Sequence, residues 1–499
     1  MEESNDVIFD GENNYDIIII GGGLTGLTAG YYLLNKNVNL SVLIIESQDK
    51  VGGRCKNING FYGHEFQKNF TNLLDNLNIA VINGRKSDFE KMILRMKKRK
   101  LVNIHEDSSI ISSQVCYFFK SIEICCKKPD FEDYTKDDDA KYLASLSVSD
   151  YIDNLVFSSS ARSICRSYIS AICGVNNLKK VSCLWLFVML NNSGGFFRRL
   201  KYLFNNNTRF FIEGGIAQVI SRLEDQIIEG NGLINCSEHV VKIKQGDIGI
   251  QITTSLKTYK CNYVVIAVPP PESSNIIIES MNYDKNLLKF IKIQSLFVSE
   301  PSVYFEITYK SPFWASNYSG SVMTILSKKL NLKFCYDASQ EDSNLLAGFI
   351  NHPEASFFGK MNLFQALNQS FCTDEADNYL HYCEMNCTTN ILKPCSVANH
   401  HNPLTNPTQK IYFAASEYSK SYPGTAEGAI AAGEHVACLL LYYARPQALE
   451  VSEILKYIPQ KDCLQKKKCT QFKYIHSILF FTNIAILLTL LWKTYSSKK

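Results

Sequence analysis

Apolar and polar positions along this chain change period several times, and each change predicts an element. The run "YDIIIIGGGLTGLTAGYYLL" (15–34) starts as an unbroken apolar stretch of strand length, breaks at three glycines, and resumes with apolar residues at helical spacing. An unbroken apolar strand is buried on both faces, as in a parallel sheet. "LSVLIIES" (40–47) is a second such strand ending at Glu46, so the two predict one βαβ unit. From Val148 to Val188 the apolar residues recur at helical spacing, around "ARSICRSYISAICG" and "VSCLWLFVMLNN", and predict a helical lobe. Strand-type runs then return at "HVVKIKQ" (239–245), "IGIQITT" (248–254), "NYVVIAVPP" (262–270) and "SVYFEITY" (302–309). The basic stretch "RKSDFEKMILRMKKRK" (85–100) reads as a solvated hairpin or helix face before it reads as a nucleic-acid patch, and "EDYTKDDDAKY" (132–142) as a charged loop. No internal repeat and no low-complexity linker separates these regions, so the lobes they form are expected to be woven together.

The segment "IYFAASEYSKSYPGTAEGAIAAGE" (411–434) predicts a strand, a polar turn, and a helix that opens on Pro423-Gly424 and stays small through Ala426, Gly428, Ala429, Ala431, Ala432 and Gly433. Small residues let a ligand approach the backbone, or let a second helix pack tightly; both readings are open at this point. Further on, "IHSILFFTNIAILLTLLW" (475–492) carries no charge and would span about 27 Å as a helix. Lys466, Lys467, Lys468 and Lys473 precede it, Lys493, Lys498 and Lys499 follow, and Tyr474 and Trp492 mark its ends. That pattern predicts a transmembrane anchor with the body on the cytosolic side.

Charge and composition narrow the classes. The formal charge is +4, but residues 461–499 hold eight Lys against one Asp, a balance of +7, which leaves the body at −3. Such a body has no call for nucleic acid. A length of 499 residues suits two or three domains with a large core. The 17 cysteines are scattered behind a polar N-terminus without a signal segment, so reduced thiols are expected rather than a disulfide framework. No second pair completes a zinc site around Cys383, Cys387 or Cys395, and no metal is expected.

The chemistry starts at Gly21-Gly22-Gly23-Leu24-Thr25-Gly26, a G-x-G-x-x-G placed between a strand and a helix. Its glycines admit a pyrophosphate to the positive end of the helix, and Glu46, closing the next strand, can accept hydrogen bonds from a ribose. An acid at the ribose speaks against a 2′-phosphate. Val51-Gly52-Gly53-Arg54 follows directly. The combination resembles the flavin-containing amine oxidase superfamily, and within it the monoamine oxidases, over nearly the whole chain. "FIEGGIAQVISRL" (211–223), "VSCLW" (181–185), "VVIAVPP" (264–270), "YKSPFW" (309–314), "IYFAASE", "GTAEGAIAAGE" and the anchor all fall in family order.

The resemblance implies an α/β fold, α+β overall: a Rossmann-like FAD-binding domain from 13–84, 209–275 and 406–447, interleaved with a mixed-sheet and helical substrate domain from 85–208 and 276–405. A linker (448–474) and the anchor (475–492) would follow. It implies FAD as cofactor, with Gly21, Gly23, Leu24, Thr25, Gly26, Glu46, Gly53, Arg54, Val240 (at the adenine), Glu417, Gly424, Thr425 and Ala426 holding it. It also implies departures. Counting back from "SPFW", the lysine that the family keeps near flavin N5 becomes Tyr304, and a tyrosine of its aromatic cage becomes Thr425; these are the catalytic candidates. The cysteine that links flavin covalently matches Cys387 by gap-free counting and Cys395 by its proline turn, neither with the family's flanking residues, so non-covalent FAD is expected. Glu65 and Gln67 fall where the family keeps small residues near the flavin. The implied activity is hydride transfer from the carbon beside an amine, with O₂ as the final acceptor. A desaturase- or protoporphyrinogen-oxidase-like role on a lipophilic substrate, and a flavin-binding scaffold without turnover, are the alternatives. The expected setting is the mitochondrial outer membrane, with the endoplasmic reticulum open, and a homodimer is not excluded.

Overall fold

The computed structural model describes residues 13–458, apart from 56–57, 86–92, 97–98, 102–109, 128–137, 247–248, 281–284, 316–320, 325–331, 341–342, 351–356 and 395–409. The strand Asn14–Ile20 lies at the centre of the first sheet, parallel to Val42–Ile45 on one side and to Thr258–Ile266 on the other. Its isoleucines show why. Ile17 and Ile19 enter a core with the helix Leu24–Asn35, whereas Ile18 and Ile20 enter a separate core with Val240, Ile243 and Ile252. Because each face is covered, an alternating pattern would leave polar side chains in one of the two cores. Among the described residues this sheet has eight strands, in the order Ile277–Ser280, Val240–Gln245, Ile250–Thr254, Thr258–Ile266, Asn14–Ile20, Val42–Ile45 and Leu233–Asn235, with Ile411–Phe413 added beside Thr258–Ile266.

A second mixed sheet, seven-stranded among the described residues, is built around the long strand Phe297–Tyr309, flanked by Tyr379–Leu392 and Asn344–Ile350. The basic stretch supplies the edge hairpin Ile93–Met96 and Arg99–Leu101. Helices from Ile110–Cys126 to Phe196–Phe204 form the lobe expected from the helical spacing. Of the stretch expected as a charged loop, 132–137 lie outside the described residues, and from Asp138 the chain is helical instead: Asp138–Ser145 is a helix with Asp138 and Asp139 in its first turn, where carboxylates favour the helix dipole.

The closing helix, Ala426–Ala444, runs against the opening helix, Leu24–Asn35. A Cβ on Gly433 would come 2.6 Å from the Thr25 carbonyl oxygen and 2.8 Å from Thr28 Cβ. Glycine there is a packing requirement between helices. Glu427, on the same helix, accepts the Phe70 N–H at 2.8 Å and the Asn69 N–H at 3.3 Å, so its carboxylate caps the helix Lys68–Asn76. The 475–492 stretch lies outside the described residues; among those described, no helix is long and apolar enough to cross a membrane.

Candidate functional site

One cavity of about 860 Å³ opens at the C-terminal ends of the parallel strands and extends to the face of the second sheet. That volume is at the upper end of the roughly 300–1,000 Å³ usual for ligand sites. Its first end is built by the glycine turn. Gly21 has φ +104°, a conformation costly for other residues. Gly23 is the N-cap of the opening helix and offers no side-chain acceptor to the first-turn N–H groups, and a Cβ there would meet nothing within 4 Å. The helix therefore aims uncapped donors at open space. Gly26 is required for a different reason. A Cβ would stand 2.0 Å from the Gly21 carbonyl oxygen, so glycine there permits the helix to close on its own turn.

Glu46 is 6% exposed on the cavity wall, and its Oε2 accepts the Gly22 N–H at 2.7 Å. Oε1 accepts the Gln48 N–H at 2.8 Å. The Gly52 N–H donates to the Gly22 carbonyl at 2.8 Å and pins the second glycine pair against the first. Val240 and Glu238 line the opposite wall. Donors without acceptors, a buried carboxylate and an open glycine fit a dinucleotide.

The middle of the cavity joins distant parts of the chain. Arg54 Nη1 lies 2.6 Å from Glu417 Oε1, and Nη2 lies 3.2 Å from Oε2. Asn390 Nδ2 (2.7 Å) and Ser416 Oγ (2.8 Å) donate to the same carboxylate. Burial pushes the Glu417 carboxyl up, but Arg54, Asn390 and Ser416 together outweigh it and hold it below the usual range. Pro423, Gly424, Thr425, Ala426 and Ala429 complete this wall, and Gly424 (φ +72°) faces open space.

The small residues of the closing helix thus divide between two causes. Gly424, Ala426 and Ala429 face the cavity; Gly428 and Gly433 are held small by neighbouring backbone. Unlike the opening helix, this one is capped by its own chain, since Thr425 Oγ1 accepts the Gly428 N–H at 3.3 Å and donates to the Tyr422 carbonyl at 2.7 Å.

Tyr304 lies on the far wall, 4% exposed, and donates to Glu306 Oε1 at 3.0 Å. Its hydroxyl is 3.4 Å from that of Tyr336. Burial, with Tyr336 and Glu306 beside it, holds the phenol well above its ordinary range. Glu306 also accepts the Gly60 N–H at 2.6 Å and Asn59 Nδ2 at 3.0 Å. Cys387 lines the cavity with its thiol raised by burial, which disfavours the thiolate; Cys395 is outside the described residues. Glu65 and Gln67 are not on the wall. Gln67 is turned inward to accept the His64 N–H at 2.8 Å, and Ile58, Phe61 and Tyr62 line the cavity instead.

Behind Tyr62, His64 is fully buried. Its Nε2–H donates to the Tyr202 carbonyl at 2.8 Å, leaving Nδ1 to accept from Thr208 Oγ1 at 2.9 Å. Burial, with Arg209 nearby, pulls it down to about 3, so it is neutral. Residues unmarked in the sequence also reach the cavity, among them Arg199, Tyr202, Lys333 and Tyr336.

The family model "Flavin containing amine oxidoreductase" matches residues 126–441, and one for an NAD(P)-binding Rossmann-like domain matches 19–77. The chain is 24% identical over 464 residues to flavin-containing amine oxidase B of Sus scrofa, covering 86% of each. It is 25% identical over 461 residues to flavin-containing amine oxidase A of Equus caballus, covering 85% of this chain and 84% of the other. Among solved structures, cyclohexylamine oxidase from Brevibacterium oxydans superposes with a TM-score of 0.75 at 19% identity, over 86% of this chain and 99% of that one. Putrescine oxidase bound to putrescine gives 0.73 at 17%, over 86% and 99%.

Proposed function

This chain belongs to the flavin-containing amine oxidoreductase family, an FAD-dependent class of oxidoreductases, and from that premise we propose that it is an amine oxidase. FAD, when bound, supplies the hydride acceptor for the carbon beside the amine nitrogen and passes the electrons to O₂, giving H₂O₂ and an imine that water hydrolyses. The protein's own residues bind, orient and exclude water.

The opening-helix N–H groups beside Gly21, Gly23, Leu24 and Thr25 would hold the pyrophosphate, with Gly26 closing the turn beneath them. Glu46 would take a ribose, and Val240 would meet the adenine. Gly53, Arg54, Glu417, Gly424, Thr425 and Ala426 would flank the ring end. Tyr304 is braced by Glu306 and Tyr336, so it offers an oriented hydroxyl and no mobile charge. Tyr62, Tyr202, Tyr336 and Phe349 enclose the adjoining space and limit its water. The 13–84, 209–275 and 406–447 blocks would form the nucleotide half, and the intervening blocks the substrate half. Non-covalent attachment suits the raised Cys387 thiol. The 475–492 stretch would hold the protein to a membrane, with the mitochondrial outer membrane first in order.

The observation that carries this reading is the single cavity where the glycine turn, Glu46, Arg54, Glu417 and the Gly424 turn converge. The test is purified protein, its visible spectrum, and peroxide release across a panel of amines. A yellow protein that releases peroxide with an amine supports the reading; a colourless protein that takes up no added FAD refutes it.

A further inference from the structure

Among the described residues, Lys333 and Arg199 at the far end of the cavity carry positive charge without a counter-charge. The strand Leu332–Asp337 shifts register against Asn344–Ile350 between Leu332 and Phe334. Leu332 and Cys335 go to the core behind the sheet, while Lys333 and Phe334, consecutive in the chain, both line the cavity. A bulge is what lets two neighbours share one face, and here it turns a lysine inward. Lys333 is 9% exposed, and among the described residues it has neither a hydrogen-bond acceptor nor a carboxylate in ion-pair range.

Arg199 reaches the same end from the helix Phe196–Phe204. It is 6% exposed, among the described residues its Nε and Nη1 have no hydrogen-bond partner, and its guanidinium lies 4.9 Å from the Tyr202 ring centre. Cys173, at the end of the helix Ser159–Cys173, is within electrostatic reach of both cations. Arg209 adds a third positive group behind Tyr62 and Tyr336, 4.3 and 4.6 Å from their ring centres.

No acid among the described lining residues balances Lys333 or Arg199. The cavity's carboxylates are Glu46, Glu238, Glu272 and Glu417; the first two belong to the glycine-turn end, Glu417 is occupied by Arg54, and Glu272 is beside Arg54. Glu306 is already filled by Tyr304, Gly60 and Asn59. Burying Lys333 and the unsatisfied Nε and Nη1 of Arg199 is costly, and such a cost is maintained where a ligand supplies the missing charge. The wall would repel a purely cationic amine and attract an anion. Arg199 offers two unused donors in the planar guanidinium fork that matches a carboxylate.

We propose that Arg199 and Lys333 form a carboxylate site, and that the substrate is an amine that also bears a carboxylate, an amino acid rather than a simple monoamine. The substrate part rests on the oxidase reading above; the anion site does not. Burial pulls Lys333 down to about 8, so it remains largely protonated at neutral pH, and a bound carboxylate would favour the charged form further.

The test is calorimetric titration of the full FAD-loaded chain with benzoate and with benzamide, its neutral isostere, repeated on Lys333→Met, Lys333→Arg and Arg199→Met. Benzoate is expected to bind at least tenfold tighter than benzamide. Lys333→Met and Arg199→Met should each weaken benzoate roughly tenfold or more while leaving benzamide unchanged, and Lys333→Arg should retain most of the affinity. Lys333→Met should also raise the unfolding midpoint, because it removes an unpaired buried charge, a gain that a lysine with a purely structural role would not give. Benzoate binding no tighter than benzamide, or unaltered in Lys333→Met, overturns the site; if that variant does not fold, Arg199→Met decides by the same criterion. Peroxide from phenethylamine but not from phenylalanine overturns the substrate class and keeps the oxidase. If the chain takes up no flavin, the oxidase reading fails, and calorimetry on the same protein still decides the anion site.

Discussion

Removing either partner of the Arg54–Glu417 pair should have unequal effects. Glu417's side chain is 3% exposed and Arg54's is 41% exposed, toward the cavity. Arg54→Met strips the Glu417 carboxylate of two of its donors and leaves it buried with only Asn390 Nδ2 and Ser416 Oγ. Breaking a buried pair from one side costs about 3–5 kcal/mol, and the opening of Arg54 to the cavity argues for the lower end, about 3. Glu417→Gln leaves a guanidinium that cavity water can solvate, and the new side-chain amide oxygen still accepts from Asn390, so about 1 kcal/mol is expected. The double variant should lose about 2 kcal/mol against a sum of about 4 for the two single changes, a coupling of about 2. Urea unfolding of the three variants, at pH 7 and without flavin, measures this. Because Glu417 is held below its ordinary 4.5, the pair's contribution is present above that pH and is lost as pH falls through the lower folded value; the gap between the two single variants should close in acid. Equal losses from the two single variants, or strict additivity in the double, would refute the reasoning.

Gly26→Ala should abolish flavin retention, since its Cβ needs at least about 1 Å more separation from the Gly21 carbonyl, whereas Gly30→Ala, whose Cβ meets flexible side-chain atoms of Ile44 at 3.0 Å and Ile227 at 3.4 Å, should stay within about 1 kcal/mol of the parent in urea. His64 binds its proton near 3 folded and near 6.5 unfolded, so stability should rise with pH across that window by about 1.4 kcal/mol per unit and level off above it. His64→Gln should flatten that limb, leaving the smaller contributions of His435, which burial pulls to about 4, and of Glu417; an unchanged acid limb would count against a neutral buried His64. Acid precipitation of the loaded protein should leave all the yellow colour in the supernatant, and colour in the pellet, absent from a Cys387→Ser variant, would show a covalent bond.

The glycine-turn end of the cavity was legible because its determinants are local. Ile17–Ile20, Gly21–Gly26 and Glu46 follow one another within a single βαβ unit, and each residue type has a conformational or hydrogen-bonding reason to be there. The far end of the cavity depends on register. Lys333 faces the cavity only because a bulge breaks the alternation that would have sent it elsewhere, and nothing in "NLKFCYD" announces that bulge. Arg199 lies in "FFRRLKYLF", where spacing alone does not tell which arginine turns inward. The small residues of 426–433 had two sufficient causes, and only the placement of Thr25 and Thr28 separates them. Glu65 and Gln67 missed the wall because the chain there turns His64 and Gln67 toward each other.

The strand Ile411–Phe413 and the arginine–carboxylate clasp, whose partners are 363 positions apart, also govern the timetable of synthesis. While the ribosome is still making the middle of the polypeptide, the glycine turn is already outside, yet its opposite wall has not been translated. Cofactor capture is therefore a late event in biogenesis, and nascent chains halted before Ala444 would present an unclosed, greasy crevice to chaperones and proteases.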